Sequence, residues 1–129
     1  MTAINPADWP RPRGYSNAML AQGRILSIAG QIGWNERCEF VSDDFLAQAE
    51  QALRNVVTIL RAAGGGPEHL VRLTWYVTDK HEYLAASRAL GAVYREILGT
   101  AYPAMTLVQV AALLEDRAKV EIEATAVLP

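Results

Sequence analysis

Two acidic side chains stand two residues apart in the segment KVEIEATAV near the end of the chain. Because side chains alternate between the two faces of a β-strand, Glu121 and Glu123 lie on one face of the predicted strand. A carboxylate enclosed in a cleft can serve as a general acid or base. The preceding predicted strand, AYPAMTLVQV, offers Met105, Leu107 and Gln109 on one face and no cation. The sequence therefore predicts an acidic pair whose charge the preceding strand does not balance.

Other residue types that carry chemistry do not form a second motif. His69 and His81 have no Glu or Cys at the spacing of a metal site, which favours capping or solvent-exposed roles. Cys38 is the only cysteine, so neither an internal disulfide nor a cysteine-based zinc site is expected. The glycines at residues 64–66 follow a predicted helix, which is typical of a helix end and not of a phosphate loop. We expect neither a metal nor a cofactor.

The composition predicts one domain, spanning residues 1–129. Of its 129 residues 51% are hydrophobic and 20% are charged, which is enough apolar material for a core. A formal net charge of -2 lacks the clustered positive charge of a nucleic-acid binder. No signal peptide or membrane-spanning run is visible, so we expect a cytoplasmic protein without a membrane partner. Residues 1–14 hold three of the six prolines and are predicted as an irregular arm.

The first half of the chain predicts two strands and a helix. YSNAMLAQGRILSIAGQIG is typical of a hairpin that turns at residues 22–24, with a short buried strand at residues 25–29. Apolar residues then recur at helical spacing over residues 45–63, behind Ser42 or Asp43 as the capping residue.

The second half predicts a strand, a helix and two more strands. HLVRLTWYVTD alternates as a strand, and DKHEYLAASRALGAVYREILG is a helix in which Asp79 and Glu82 resemble a capping box. The last strands occupy about residues 104–110 and 119–127. The order ββαβαββ, with one sheet covered by two helices, is an α+β two-layer domain.

Apolar residues occur in both registers of the predicted strands, for example Ile122 and Val127 in the last one. Two helices cover only one face of a sheet, so the other face requires burial and self-association is expected. A cleft between subunits is a natural site for a small molecule.

The segments GQIG, QALRNVVTILRAAGG, VRLTWYVTD, YPAMTLVQVAAL and KVEIEATAV occur in the order and spacing of the Rid family, also called the YjgF-like family. The chain resembles this family from about residue 15 to residue 127, most specifically in YPAM and VEIEA. The resemblance implies a chorismate-mutase-like fold and a homotrimer, in which three sheets surround a central barrel and three clefts lie between subunits. The best-known branch of the family hydrolyses reactive imines and enamines, such as 2-aminoacrylate derivatives, without metal or cofactor.

The resemblance also implies roles for individual residues. In the deaminases an arginine clamps the substrate carboxylate, and a glutamate near the end of the chain positions or activates water. That glutamate corresponds to Glu121, a pocket tyrosine near the N-terminus corresponds to Tyr15, and the glycine after the strand corresponds to Gly30.

The chain departs from the family pattern at four positions. Met105 stands where the clamping arginine is expected, and Leu107 stands where a cysteine is expected. Ala29 replaces a serine, and Gly91 falls where the second helix should carry an asparagine. A guanidinium binds a carboxylate through two parallel hydrogen bonds that a thioether cannot make. We therefore expect a substrate other than 2-aminoacrylate, in a more apolar cleft to which Trp34 also contributes.

Each candidate residue keeps an alternative interpretation. Glu121 acts on water, or it is paired with Lys119, Arg117 or an arginine of a neighbouring subunit. Tyr15 donates a hydrogen bond into the cleft, or it anchors the arm. Trp34 stacks on a ligand, or it anchors its own loop.

Three functional hypotheses follow for the whole protein. The first is hydrolytic deamination of an imine or enamine, directed by Glu121 in a cleft between subunits. The second is a non-catalytic trimer that binds or senses a small metabolite, which the apolar Met105 favours. The third is action on RNA, which the acidic balance disfavours. An arginine at another position, such as Arg13 or Arg88 of another subunit, could also replace the missing clamp.

Overall fold

The computed structural model describes all 129 residues and packs two helices on one face of a four-stranded sheet. The strands are β1 Thr2–Ile4, β2 Ala18–Leu20, β3 Arg24–Ile32, β4 Leu70–Val77, β5 Ala104–Gln109 and β6 Val120–Leu128. The helices are α1 Phe45–Ala62 and α2 Lys80–Leu98, with a short 3-10 turn at Pro67–His69. The sheet order is β3-β6-β4-β5, with β4 and β5 parallel and the other neighbours antiparallel. The predicted α+β two-layer class is confirmed.

Helix α1 begins at Phe45, as predicted, but its capping residue differs from both candidates. Asp44 is the N-cap, because its Oδ2 accepts a hydrogen bond from the backbone N–H of Ala47 at 3.0 Å. The proposed caps were wrong: Ser42 instead accepts from the N–H of Asp44, and Asp43 forms an ion pair with Arg117. The predicted apolar stripe is buried over its whole length except at its last position; its buried members are Phe45, Ala49, Ala52, Leu53, Val56, Val57 and Leu60.

Helix α2 is capped by Asp79, whose Oδ1 accepts from the N–H of His81 at 2.9 Å. The capping box predicted with Glu82 does not form, because Glu82 pairs with Lys119 at 3.2 Å. The helix ends at Gly99, whose φ of 65° suits a residue without a side chain. Neither helix is sufficiently long and apolar to cross a lipid bilayer.

The two faces of the sheet have different characters. In β4 and β6, buried residues that pack against the helices are interspersed with exposed or partly exposed ones. The buried residues are Leu70, Leu73, Trp75, Val77, Val120, Ile122, Ala124, Ala126 and Leu128. The face away from the helices, called the open face below, carries Arg72, Thr74, Tyr76, Glu121, Glu123, Thr125 and the apolar Val127 from the same two strands. The helices therefore leave a largely polar sheet face uncovered.

The predicted hairpin at the start of the chain is wrong. Strand β2 pairs with β1, in which Thr2 lies opposite Leu20, and β3 pairs with β6. The arm predicted as irregular thus begins with a strand. The physical reason is that β3 is nine residues long and its register places Leu26 and Ile28 opposite Ala126 and Ala124, facing the helices. The predicted burial of residues 25–29 is also wrong in part, because Ile25 in β3 is 75% exposed.

Candidate functional site

On the open face, the side chain of Glu121 lies directly against Gly30. Glu121 lies near the start of β6, and Gly30 lies in β3 where the pairing of the two strands shifts register between Ile28 and Gln31. A Cβ atom on Gly30 would lie 2.7 Å from the carboxyl carbon of Glu121 and would also collide with its Oε1. The glycine therefore provides the space that the carboxylate occupies.

The carboxylate of Glu121 makes no ion pair and no side-chain hydrogen bond within the chain, and the residue is partly buried. The two cations that the sequence suggested as partners are engaged elsewhere. Arg117 pairs with Asp43 at 2.9 Å, and Lys119 pairs with Glu82 at 3.2 Å. The carboxylate is therefore free to bind a water molecule or another group.

Glu123, the second acid, is held by a tyrosine on the neighbouring strand. Tyr76 Oη donates a hydrogen bond to Glu123 Oε1 at 2.8 Å. This hydrogen bond, followed by burial and the negative charges of Glu123 and Glu121, raises the pKa of the Tyr76 phenol. Tyr76 is thus a proton-bearing donor, and the Glu123 carboxylate is occupied by this hydrogen bond within the sheet. The sequence did not single out Tyr76 as a site residue. The only available signal was strand alternation, which places Tyr76 on the opposite face of β4 from Trp75.

Met105 and Leu107 do not share a face with Glu121. Strand β6 lies between β3 and β4, so β5 is not its neighbour. In the parallel pairing of β4 with β5, Met105 lies opposite Leu73 and Leu107 opposite Trp75, and both pack against the core under the helices. The expectation that the preceding strand faces the acidic pair was wrong, because a sheet places strands by long-range pairing and not by chain order.

Met105 and Gly91 instead line a cavity of about 260 Å³ beside α2, called the aromatic pocket below. Its walls include the rings of Trp75, Tyr83, Tyr94 and Tyr102, together with Met105 and Gly91. No atom of the rest of the chain lies within 4 Å of a Cβ built on Gly91, so the glycine leaves this space open. The pocket and Glu121 lie on opposite sides of one sheet.

Tyr15 lies at the far end of the sheet from Glu121. Its neighbour Ser16 bridges to Ala104 at the start of β5, and Ser16 Oγ donates to the Tyr102 carbonyl at 2.6 Å. The register places Glu121 level with Tyr76, which is close to the end of β4. One chain therefore does not bring Tyr15 to the carboxylate.

Ala29 and Trp34 flank Gly30 along the chain. Ala29 is exposed, and its carbonyl accepts a hydrogen bond from the Gln31 side chain at 3.0 Å. The Trp34 ring packs against Phe40 with centroids 5.8 Å apart, and its carbonyl accepts from Asn55 Nδ2 at 2.9 Å. These contacts favour the interpretation of Trp34 as an anchor of its loop.

Two helices on one face of the four-stranded sheet, in the order βαβαββ from β3 to β6, define an α+β protein with the chorismate-mutase-like fold. The family model described as Endoribonuclease L-PSP matches residues 9–128. A crystal structure of a Rid-family protein of unknown function, YyfB from Yersinia pestis, has a TM-score of 0.85 and 38% identity, and the match covers 98% of each chain.

Two curated relatives extend this likeness. A RutC family protein of Pyrococcus horikoshii is 37% identical over 119 residues, which cover 91% of this chain and 90% of the relative. The 2-iminobutanoate/2-iminopropanoate deaminase of Escherichia coli K12 is 37% identical over 105 residues, 81% of this chain and 80% of the relative. The chain belongs to the endoribonuclease L-PSP family, which is also known as the Rid or YjgF-like family.

Proposed function

We propose that this protein hydrolyses a reactive imine or enamine, with Glu121 directing a water molecule onto the carbon–nitrogen double bond. The observation that carries the proposal is the unpaired, partly buried carboxylate of Glu121, for which Gly30 provides the space. The name of the Escherichia coli relative, an imine deaminase, supports the same reaction class.

The reaction needs one water molecule and a group that moves its protons. The Glu121 carboxylate accepts a proton from water while the water oxygen attacks the carbon of the protonated imine. The resulting carbinolamine receives that proton on nitrogen, which regenerates the Glu121 carboxylate. The carbon–nitrogen bond then breaks and ammonia leaves, while the carboxylate takes the hydroxyl proton and the carbonyl product forms. An enamine enters the same sequence after a proton adds to its carbon. No electron is transferred, so no redox partner is required.

The candidate site residues of one chain fall into two groups on opposite sides of the sheet, and a site between subunits would bring the two groups together. Glu121 and Gly30 lie on the open face, whereas Met105, Leu107 and Gly91 lie on the helix side of the sheet. In the proposed homotrimer, Glu121 and Gly30 of one subunit and Met105, Leu107 and Gly91 of its neighbour line one cleft between the two subunits. Two apolar side chains of the open face, Ile25 at 75% and Val108 at 41% exposure, support its burial by another copy.

Imine turnover by the purified protein tests this function. Imines are generated in place by an amino acid oxidase from a panel of amino acids, and the disappearance of each imine is followed with and without the protein. We expect acceleration for at least one imine, and a loss of about 100-fold or more in Glu121→Gln, since a positioned acid–base group contributes roughly that much. Equal rates for the wild type and Glu121→Gln would contradict the proposal.

A non-catalytic binding protein is the second candidate, and Met105 is the observation that favours it. The thioether in the aromatic pocket cannot hold a carboxylate as the family's arginine does. Ligand-dependent thermal stabilisation without turnover of any imine would identify this function.

Action on RNA is disfavoured, because Glu121 and Glu123 place negative charge on the open sheet face.

A further inference from the structure

The aromatic pocket has the size and walls of a site for a single flat ring. Its volume of about 260 Å³ is close to the lower limit of about 300 Å³ for small-molecule sites. Trp75 and Tyr83 meet edge to face with centroids 6.1 Å apart, and Tyr94 stacks on Tyr102 at 5.9 Å. Two aromatic pairs therefore wall a cavity that Gly91 keeps open.

Two arginines line the same cavity, and no acidic residue does. Arg13 comes from the N-terminal arm, and Arg95 comes from the last turn of α2. Neither guanidinium forms an ion pair or a side-chain hydrogen bond within the chain, whereas Arg54 pairs with Glu50 and Glu96. An aromatic cavity with two unpaired guanidinium groups and no carboxylate is complementary to an anion that carries a ring.

A buried donor in the wall is also without a partner. Trp75 is 2% exposed, and its indole Nε1–H is the only buried side-chain nitrogen or oxygen group that lacks a hydrogen bond in the chain. Buried indole N–H groups usually find an acceptor. A ligand with an acceptor near the pocket wall would supply one.

We infer that the aromatic pocket binds a small carboxylate with one aromatic ring, and that Arg13 and Arg95 hold its carboxylate group. This inference rests on the proposed function and adds to it a class of substrate, the imines of aromatic amino acids. The cation missing at position 105 is then replaced by two cations from the arm and from α2. Met105 contacts the ring with its polarisable thioether.

Binding of phenylpyruvate tests the inference, because it is the 2-oxo acid that hydrolysis of an aromatic imine would release. Affinity is measured by isothermal titration calorimetry, with pyruvate as the acid without a ring and 2-phenylethanol as the ring without an acid. We expect phenylpyruvate to bind at least about tenfold more tightly than either, since each lacks one of the two recognised groups. Equal affinity for phenylpyruvate and pyruvate would overturn the inference.

Matched variants locate the site. The double variant Arg13→Met with Arg95→Met should weaken phenylpyruvate binding by about tenfold or more, because charge-assisted hydrogen bonds are lost. The double variant Arg11→Met with Arg61→Met removes the same charge from the arm and from the other helix, and should bind normally. Gly91→Leu should fill the pocket, and Ala89→Leu on the exposed side of α2 should not. Equal effects in the test and control variants would overturn the site.

Two further measurements separate this inference from the proposed function. Glu121→Gln should bind phenylpyruvate as the wild type does, even though it loses turnover. Binding of phenylpyruvate without turnover of any imine would support the aromatic pocket as a binding site and contradict the deaminase function. Turnover of an imine without phenylpyruvate binding would support the deaminase function and contradict the assigned ligand of the pocket. The Nε1–H resonance of Trp75, assigned with Trp75→Phe, should shift on titration, and an unmoved resonance would place the ligand elsewhere.

Discussion

Gly30 lies directly against the carboxylate of Glu121, so that a single added carbon atom would occupy the same space. The two residues belong to neighbouring strands, and the register shift in β3 beside Gly30 brings them together. The position of the Glu121 carboxylate therefore requires that residue 30 has no side chain. This dependence can be measured without knowing the substrate.

Gly30→Ala should destabilise the protein by about 1–3 kcal/mol, since overpacking forces side chains from their preferred positions. Because the collision is with the carboxylate, the cost should shrink when Glu121→Ala is also present. The free energy of unfolding of the four proteins, measured with urea, gives the coupling between the two sites. An identical cost of Gly30→Ala in both backgrounds would show that the glycine serves another purpose.

Gly91→Ala should have the opposite effect and stabilise the protein by roughly 1 kcal/mol, because alanine favours a helix interior and nothing lies within 4 Å of its Cβ. Gly33→Ala is the contrasting control. Its Cβ would lie 2.5 Å from the Cβ of the buried Gln48, so a loss of stability is expected. Thermal unfolding checks both variants, and a destabilising Gly91→Ala would mean that the pocket space is not available in the assembled protein.

The elements of this fold follow from local patterns. Alternation predicted that Val71, Leu73, Trp75 and Val77 share one face of β4, and helical spacing predicted the inner face of α1. The last three of the four strand residues are buried, whereas the register shift between Leu70 and Arg72 leaves Val71 only partly buried. These patterns are local consequences of burying one face of an element. Their ends were less well predicted, because capping at Asp44 depends on a single side-chain hydrogen bond.

The order of the strands could not be obtained in the same way. Chain order suggested that the strand of Met105 adjoins the strand of Glu121, whereas β6 pairs with β3 and β4. Likewise, β2 precedes β3 by a short turn and pairs with β1. Pairing between distant segments is decided by which strands together bury their apolar faces, and one sequence carries little record of that competition.

The candidate site was predictable only in part for the same reason. Family resemblance named both Gly30 and Glu121, and the structure places them in contact. The pairing of Tyr76 with Glu123 requires knowledge that β4 and β6 are neighbours. The arginines at positions 13 and 95 carry no motif at all, and only the folded chain brings them to one cavity.

Tyr76 should titrate above the ordinary phenol pKa of 10.0, because it donates to a carboxylate and lies near two negative charges. Since the folded state holds this proton more tightly than the unfolded state, the contribution to stability is complete below pH 10.0 and is lost as the pH rises through the folded-state pKa. Glu123→Gln should lower the Tyr76 pKa towards its ordinary value. Tyrosine Cζ chemical shifts measured against pH check this, with Tyr76→Phe for assignment. A Tyr76 pKa that Glu123→Gln leaves unchanged would contradict the assigned cause.

Gln48 should be essential for the position of β6. It is completely buried, its Nε2 donates to the carbonyls of Ser42 at 2.9 Å and Arg117 at 3.0 Å, and its Oε1 accepts from the N–H of Lys119 at 2.9 Å. Gln48→Leu fills similar space but leaves these buried backbone groups unpaired, so we expect a loss of at least about 2 kcal/mol in the free energy of unfolding. The matched control is a second glutamine of α1, at position 51, which bonds only to the neighbouring Asn55 side chain; its leucine variant should cost less than about 1 kcal/mol. Urea unfolding compares the two variants, and equal costs would show that the buried hydrogen bonds do not hold the start of the strand that carries Glu121.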